Sequence, residues 1–224
     1  MTKLRIFIAG GTGYMGTRLI AMLLQRGHEV RALARQGAAQ KLPPGCVPII
    51  GNALDKNSYM AQVQPADTFV HLVGVSHPNP SKTAQFRAID LASVQNSVPA
   101  AVAAGIKHFV YVSVAHPAPI MQAYWQVRAE CEALIRASGL NATILRPWYV
   151  LGPGHWWPYM LAPMYWLFER LPSTHDTARR LGLVRLRQML HALIGAIENP
   201  RQGVRILEVE QIRRANLNND KMIK

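Results

Sequence analysis

The chain has 224 residues, half of them hydrophobic and 17% charged, which suits one folded core with a small appended lobe and is too little for two full domains. Its net charge of +13 favours phosphate-bearing partners, but the arginines are scattered through the whole sequence and no aromatic and basic recognition motif accompanies them, so no nucleic acid partner is expected. The two cysteines, Cys46 and Cys131, have no paired spacing, which argues against a disulfide framework and a zinc site and suits a reducing cytoplasm. The N-terminus enters a strand without the apolar stretch of a signal peptide.

The first element reads as a buried strand over Leu4 to Ala9, and behind it "GGTGYMG" puts four glycines into residues 10–16. A helical pattern follows, with Met15, Leu19, Met22 and Leu23 on one side. In a strand, turn and helix of this kind Gly10 makes the tight turn, Gly13 lets backbone approach a pyrophosphate, and Gly16 lets the helix pack closely. Free N–H groups and the positive helix end then meet the phosphates. Gly10, Thr12, Gly13, Tyr14, Met15 and Gly16 are therefore the expected cradle of a dinucleotide. The plain alternative is a tight turn without a ligand.

The second strand, "HEVRALARQ", discriminates between dinucleotides. An acid at its end would take the ribose 2′-hydroxyl of NAD. Here Ala34 occupies that place and Arg35 follows it, so a 2′-phosphate gripped by Arg35 is expected and the cofactor reads as NADP, with NAD the alternative. Arg31 is expected to point elsewhere. A solvated arginine at a strand end is the competing reading of Arg35.

Further along, a strand is expected near Val47 to Ile50, a short helical stretch near Asn57 to Val63, and a strand over Thr68 to Val73. A long helix over Thr83 to Ala104 leads into the β-rich "IKHFVYVSV". A helix over Met121 to Ser138 leads into the strand "LNATILRP". This alternation predicts an α/β fold, a doubly wound parallel sheet with right-handed crossovers and the ligand across the carboxyl ends of its strands. Beyond Pro147 the rhythm breaks into "WYVLGPGHWWPYMLAPMYWLFERLP", so residues 148–210 read as a small substrate or lid lobe within a single domain. The aromatics Trp156, Trp157, Tyr159, Tyr165, Trp166 and Phe168 are expected to wall an apolar pocket. A peripheral membrane segment is the lesser reading, because Pro158 and Pro163 interrupt it and it is too short to span a bilayer. A helix over Leu186 to Glu198, a closing strand in "GVRILEVEQ" and a frayed polar tail from "RRANLNNDKMIK" complete the chain. No histidine pair or cysteine pair has metal spacing, so no metal is expected. No Gly-x-Ser-x-Gly elbow supports a hydrolase. His116 and His155 read as loop histidines near the pocket mouth.

The set "GGTGYMG", "VRALAR", "VHLVG", "HFVYVS", "YWQVRAECEALIRASGLNATILRP" and the apolar helix ahead of "ENP" resembles the short-chain dehydrogenase/reductase superfamily. Within it the chain is similar to the atypical NAD(P)-binding members, near the NmrA-like regulators and the nucleotide-binding accessory subunit of respiratory complex I. The resemblance runs from about residue 4 to 210. It implies a serine, Ser113, after the fifth strand and a tyrosine, Tyr124, on the next helix, with Arg128 where the family carries lysine. In that pattern Tyr124 gives its proton to a carbonyl oxygen, Ser113 holds that oxygen, and the nearby cation lowers the phenol pKa from about 10 toward working pH. Arginine keeps the charge but not the compact shape of an ammonium. The resemblance also implies that Asn52 and Ala53 of "GNALD" contact adenine, that Val73 and Gly74 lie beside adenine and ribose, and that Pro147 and Trp148 stand near nicotinamide. Ordinary packing is the alternative for each. Two readings follow. One is an NADP-dependent reductase of a small apolar carbonyl or quinone-like substrate. The other is a non-catalytic NAD(P)H-binding sensor or assembly protein.

Overall fold

The structure is a computed structural model and describes residues 2–118, 120–153 and 181–219. A strand β1 (Arg5–Ala9) runs into helix α1 (Tyr14–Gln25), followed by β2 (Glu29–Ala34), β3 (Val47–Ile50) and β4 (Thr68–His71). Helices α2 (Thr83–Gln85) and α3 (Ala92–Ala103) are joined without a break by a π turn over Phe86–Leu91. Then come β5 (His108–Val112), α4 (Gln122–Ala137), β6 (Ala142–Arg146), β7 (Tyr149–Leu151), β8 (Leu183–Arg185), α5 (Leu186–Glu198), β9 (Val204–Glu208) and α6 (Val209–Asn219). Seven strands form one parallel sheet in the order β3-β2-β1-β4-β5-β6-β9. The order reverses at β1, which places a crevice between the carboxyl ends of β1 and β4.

Alternation along β1 shows how the sheet is buried on both sides. Ile6 and Ile8 belong to one hydrophobic cluster, with Leu19, Leu23, Met189 and Leu193 of α1 and α5. Phe7 and Ala9 belong to the other, with Phe69, Phe109, Val94 and Ile135 on the α3 and α4 side. A strand with both faces buried reads as an unbroken apolar run, as "IFIA" does.

Two expectations about elements change. The helical stretch near residues 57–63 is two 3₁₀ turns, Lys56–Ser58 and Met60–Gln62, the first capped by the Asp55 side chain accepting from Asn57 N at 3.1 Å. The polar tail begins as α6, because Val209 and Ile212, three apart, are both fully buried and dock one helix face against the core. Of residues 148–210, β7 and β8 pair in a small parallel sheet, α5 joins the main core and β9 extends the main sheet. Trp156, Trp157 and the other aromatics of residues 155–171, with His155, lie outside the described residues. No helix among the described residues is long and apolar enough to cross a membrane.

Candidate functional site

The glycine turn is shaped by contacts that a side chain would destroy. Gly10 has φ +88°, and a Cβ there would stand 2.8 Å from the Leu72 carbonyl carbon, so β1 can turn beside the end of β4 only without one. A Cβ on Gly16 would stand 2.3 Å from the Gly10 carbonyl oxygen, so α1 abuts the turn itself. Gly13 caps α1, which carries no acid in its first turn, and its N–H donates to Gly10 O at 3.1 Å. The bare helix end offers unpaired N–H groups and a positive partial charge. It opens on a cavity of about 400 Å³ lined by Gly10, Gly13, Tyr14, Met15, Gly16 and, further in, Gly74.

The other residues read as cofactor contacts are distributed unevenly. Pro147 and Trp148 line the cavity, with Trp148 edge-on to Tyr149 at 5.5 Å. Arg35 is exposed just beyond β2, after the buried Ala34, and outside the cavity lining. Arg31 points away, as expected, donating to Gln62 O at 2.7 Å and to Gln64 O. Thr12, Asn52, Ala53 and Val73 also lie off the lining. Asn52 spends its side-chain oxygen on Leu54 N at 3.1 Å, an Asx turn that leaves only its amide N–H groups to offer a base.

Tyr124 and Arg128 share one face of α4 and both line the cavity, with the guanidinium carbon 5.3 Å from the Tyr124 ring centroid. Arg128 is 6% exposed and engaged inward through both terminal nitrogens. Its Nη2 pairs with Asp90 at 2.6 Å, and its Nη1 donates to Val112 O at 3.0 Å and to Tyr111 Oη at 3.1 Å. Arg128 is thus neither a surface arginine nor a free cation. Its pull on the Tyr124 phenol is opposed from two sides. Burial pushes the phenol above its ordinary value, Arg128 pulls it down and Asp90 pushes it up again, with the net shift upward. The nearby cation does not bring the phenol toward neutral pH, because burial outweighs it and Asp90 offsets part of its charge.

Ser113 is engaged as well. It lines the cavity, but its hydroxyl donates to Glu132 Oε1 at 2.7 Å. Glu132 is 2% exposed and also receives Arg146 Nε at 2.9 Å and Nη2 at 2.5 Å, with His116 Nε2 at 3.1 Å. Burial opposes its charge, yet His116, Arg146 and Ser113 outweigh burial and bring the carboxyl down to about 2. A hydroxyl has one proton. With its hydroxyl hydrogen directed at Glu132, Ser113 turns lone pairs toward the cavity.

Asp90 and Glu132 are the residues that sequence reasoning missed. A signal existed for Asp90, since Phe86, Asp90, Val94 and Val98 recur at steps of four and the other three are apolar, so an acid on that stripe demanded a partner. Glu132 gave none, because Arg128 and Glu132 four apart read as an ordinary helix-surface pair. Among the described residues no cluster of histidine, cysteine or carboxylates has the makings of a metal site.

A glycine cradle at a sheet reversal, a bare helix end above it and an arginine past the second strand define a dinucleotide-binding protein. The chain belongs to the NAD(P)H-binding family, whose model matches residues 10–152. It is 27% identical over 171 residues to the 4-hydroxy-2-methyl-3-oxo-4-farnesyl-3,4-dihydroquinoline-1-oxide ketoreductase of Stigmatella aurantiaca, covering 66% of this chain and 51% of that protein. It is 24% identical over 212 residues to the ceramide reductase of Caulobacter vibrioides, covering 93% of this chain and 65% of that protein. The fold superposes on the Bordetella bronchiseptica enzyme WbmH in complex with NAD+, with a TM-score of 0.68 at 19% identity, covering 100% of this chain and 83% of that one. The chain spans about half the length of the ketoreductase, 51%, and about a third, 31%, of the steroid dehydrogenases it also matches. It is an NAD(P)H-binding protein.

Proposed function

We propose that the protein is an NADP-dependent reductase of a small apolar carbonyl or quinone-like compound. The observation that carries this reading is that the Tyr124 side chain and the glycine cradle line one cavity. The glycine turn suits a pyrophosphate, because it packs as bare backbone at the head of α1, where a Cβ at Gly10 would meet Leu72 and one at Gly16 the Gly10 oxygen, and the cavity it lines also holds Arg128, whose Nε is buried without an acceptor among the described residues. The nicotinamide, when bound, supplies a hydride to the carbonyl carbon. Tyr124, held protonated by its burial, gives its proton to the oxygen and is reprotonated from solvent. Ser113 keeps its proton on Glu132 and supplies a small acceptor next to the apolar Val114, Pro147 and Trp148, which exclude water. Ala34 in the acid's place and an exposed Arg35 support the 2′-phosphate. The relatives' names, a ketoreductase and a ceramide reductase, support carbonyl chemistry on apolar substrates.

A second reading, a non-catalytic NAD(P)H-binding sensor or assembly protein, is favoured by one observation: Arg128 is committed to Asp90 and the protein backbone. NADPH consumption against aldehydes, ketones and quinones separates the two. Turnover is expected, and Tyr124→Phe is expected to cut it by roughly 10² to 10⁴, with NADPH affinity unchanged. A native protein that binds NADPH and oxidises none across the panel establishes the second reading.

A further inference from the structure

The helix over residues 83–103 changes pitch in one place. Phe86–Leu91 form a π turn between α-helical Thr83–Gln85 and Ala92–Ala103, and such turns within α-helices gather at functional sites. This one carries Asp90, whose side chain is fully buried. A carboxylate is taken out of water at large cost unless charge and hydrogen bonds meet it there. Both do. Asp90 Oδ1 lies 2.6 Å from Arg128 Nη2, and Oδ2 accepts from Val75 N at 3.1 Å. Arg128 carries the connection on to Val112 O at the end of β5 and to the Tyr124 ring. One carboxylate therefore joins the π turn to the loop after β4 that includes Gly74 and Val75 and to helix α4; the loop and α4 line the cavity, and the π turn stands behind them. The fit is close: a Cβ on Gly74 would stand 2.2 Å from Arg128 Nη2 and 3.2 Å from Asp90 Oδ1.

We propose that Asp90 is a positioning residue of the site, which holds Arg128 against the Tyr124 ring as a charge-balanced pair and so keeps Tyr124 a proton donor. The proposal rests on the reductase reading for what Tyr124 does, while the pairing itself does not. A lone guanidinium at this distance would draw the phenol toward the phenolate. With Asp90 beside it the pair presents little net charge, and burial keeps the proton on the ring. The groups that bear on Tyr124 are Arg128 and Cys131 of its own helix and Asp90 of the π turn, with Tyr111 of β5 acting through Arg128. The Phe86 ring packs on it at 4.9 Å without charge, and His77 of the loop after β4 lines the same cavity. Burial pushes the Cys131 thiol up to about 11, so it stays neutral around pH 7.

The test is the phenolate absorbance of full-length protein titrated to alkaline pH, each variant measured with and without Tyr124→Phe so that the difference reports Tyr124 alone. In Asp90→Asn the Tyr124 midpoint is expected to fall by about one unit or more, and in Asp90→Glu, which restores the charge, to return toward the native value. The pH limb of turnover moves the same way. In the neutral pair Asp90→Asn with Arg128→Gln the midpoint stays near native, which keeps the test decisive if Asp90→Asn alone does not fold. An unchanged midpoint in folded Asp90→Asn, or a lowered one in the neutral pair, overturns the proposal. Because the titration needs no turnover, a native protein inert toward carbonyls sinks the reductase reading separately and leaves this result to stand or fall on its own.

Discussion

At Arg35 the chain is exposed one residue beyond a buried alanine, at the edge of the strand that would otherwise carry a ribose-binding acid. A guanidinium gives a phosphate two parallel charge-assisted bonds and gives a hydroxyl far less. Arg35→Ala is expected to weaken NADPH binding by about 1.5 to 3 kcal/mol, roughly tenfold to a hundredfold, and to leave NADH nearly unchanged. Calorimetric titration of both nucleotides checks this, and equal affinities in the native protein would remove Arg35 from the cofactor site. Single residues also show where the sequence stops being legible. The family resemblance marked Tyr124, Ser113 and Arg128, and all three line the cavity. What each does there is decided by Asp90 and Glu132, which arrive from other parts of the chain and turn the arginine inward and the serine's proton away.

At the scale of elements, local pattern carried most of the fold. The expected strand at Val47 to Ile50 and helix at Leu186 to Glu198 agree with the structure residue for residue, because a short β-branched run and apolar steps of three and one are set by the segment itself. The π turn was not legible, since a single extra residue per turn leaves the apolar stripe intact. Nor was α6, whose two buried anchors, Val209 and Ile212, are hidden among charges. The meeting of α1 with the glycine turn yields a direct prediction. Gly16→Ala places a methyl 2.3 Å from the Gly10 oxygen, so the helix must back away and its N–H groups leave the phosphates. A loss of about 1 to 3 kcal/mol in stability and a tenfold or greater loss of nucleotide affinity are expected. Gly195→Ala is the control, since Gly195 lies within α5 with nothing within 4 Å of the new Cβ. That change should stabilise by about 0.5 to 1 kcal/mol, read as a rise in Tm. If Gly16→Ala bound nucleotide as well as the native protein, the cradle would be misplaced.

For the whole molecule, the buried Glu132 acts as a knot. From α4 it receives Ser113 after β5 and Arg146 of β6, and Arg146 reaches on to Glu208 of β9 at 2.9 Å. Its carboxyl is held near 2 in the folded state against about 4.3 unfolded, so its contribution is complete above the unfolded value and disappears as pH falls toward 2. Stability should therefore fall off between about pH 4.3 and pH 2, and Glu132→Ala should flatten that limb. At neutral pH the same variant leaves the partly buried Arg146 without its main partner, at a cost of about 3 kcal/mol and a Tm lower by roughly 6 to 12 °C. Thermal melts across the acid range check both, and an unaltered acid limb in the variant would show that other carboxylates govern it.

The two-sided burial of the sheet has a further consequence for what counts as the unit of this protein. The family-matching stretch ends at residue 152, yet the wall that closes over Ile6, Ile8, Val70 and Leu145 is completed by Met189, Leu193, Val209 and Ile212, all of which come later. Arg26 at the end of α1 is clasped by Glu198 of α5 at 2.6 Å. The helix that would receive the phosphates is thus braced from behind by α5, and a chain cut at residue 152 would leave that side of the sheet to α1 alone.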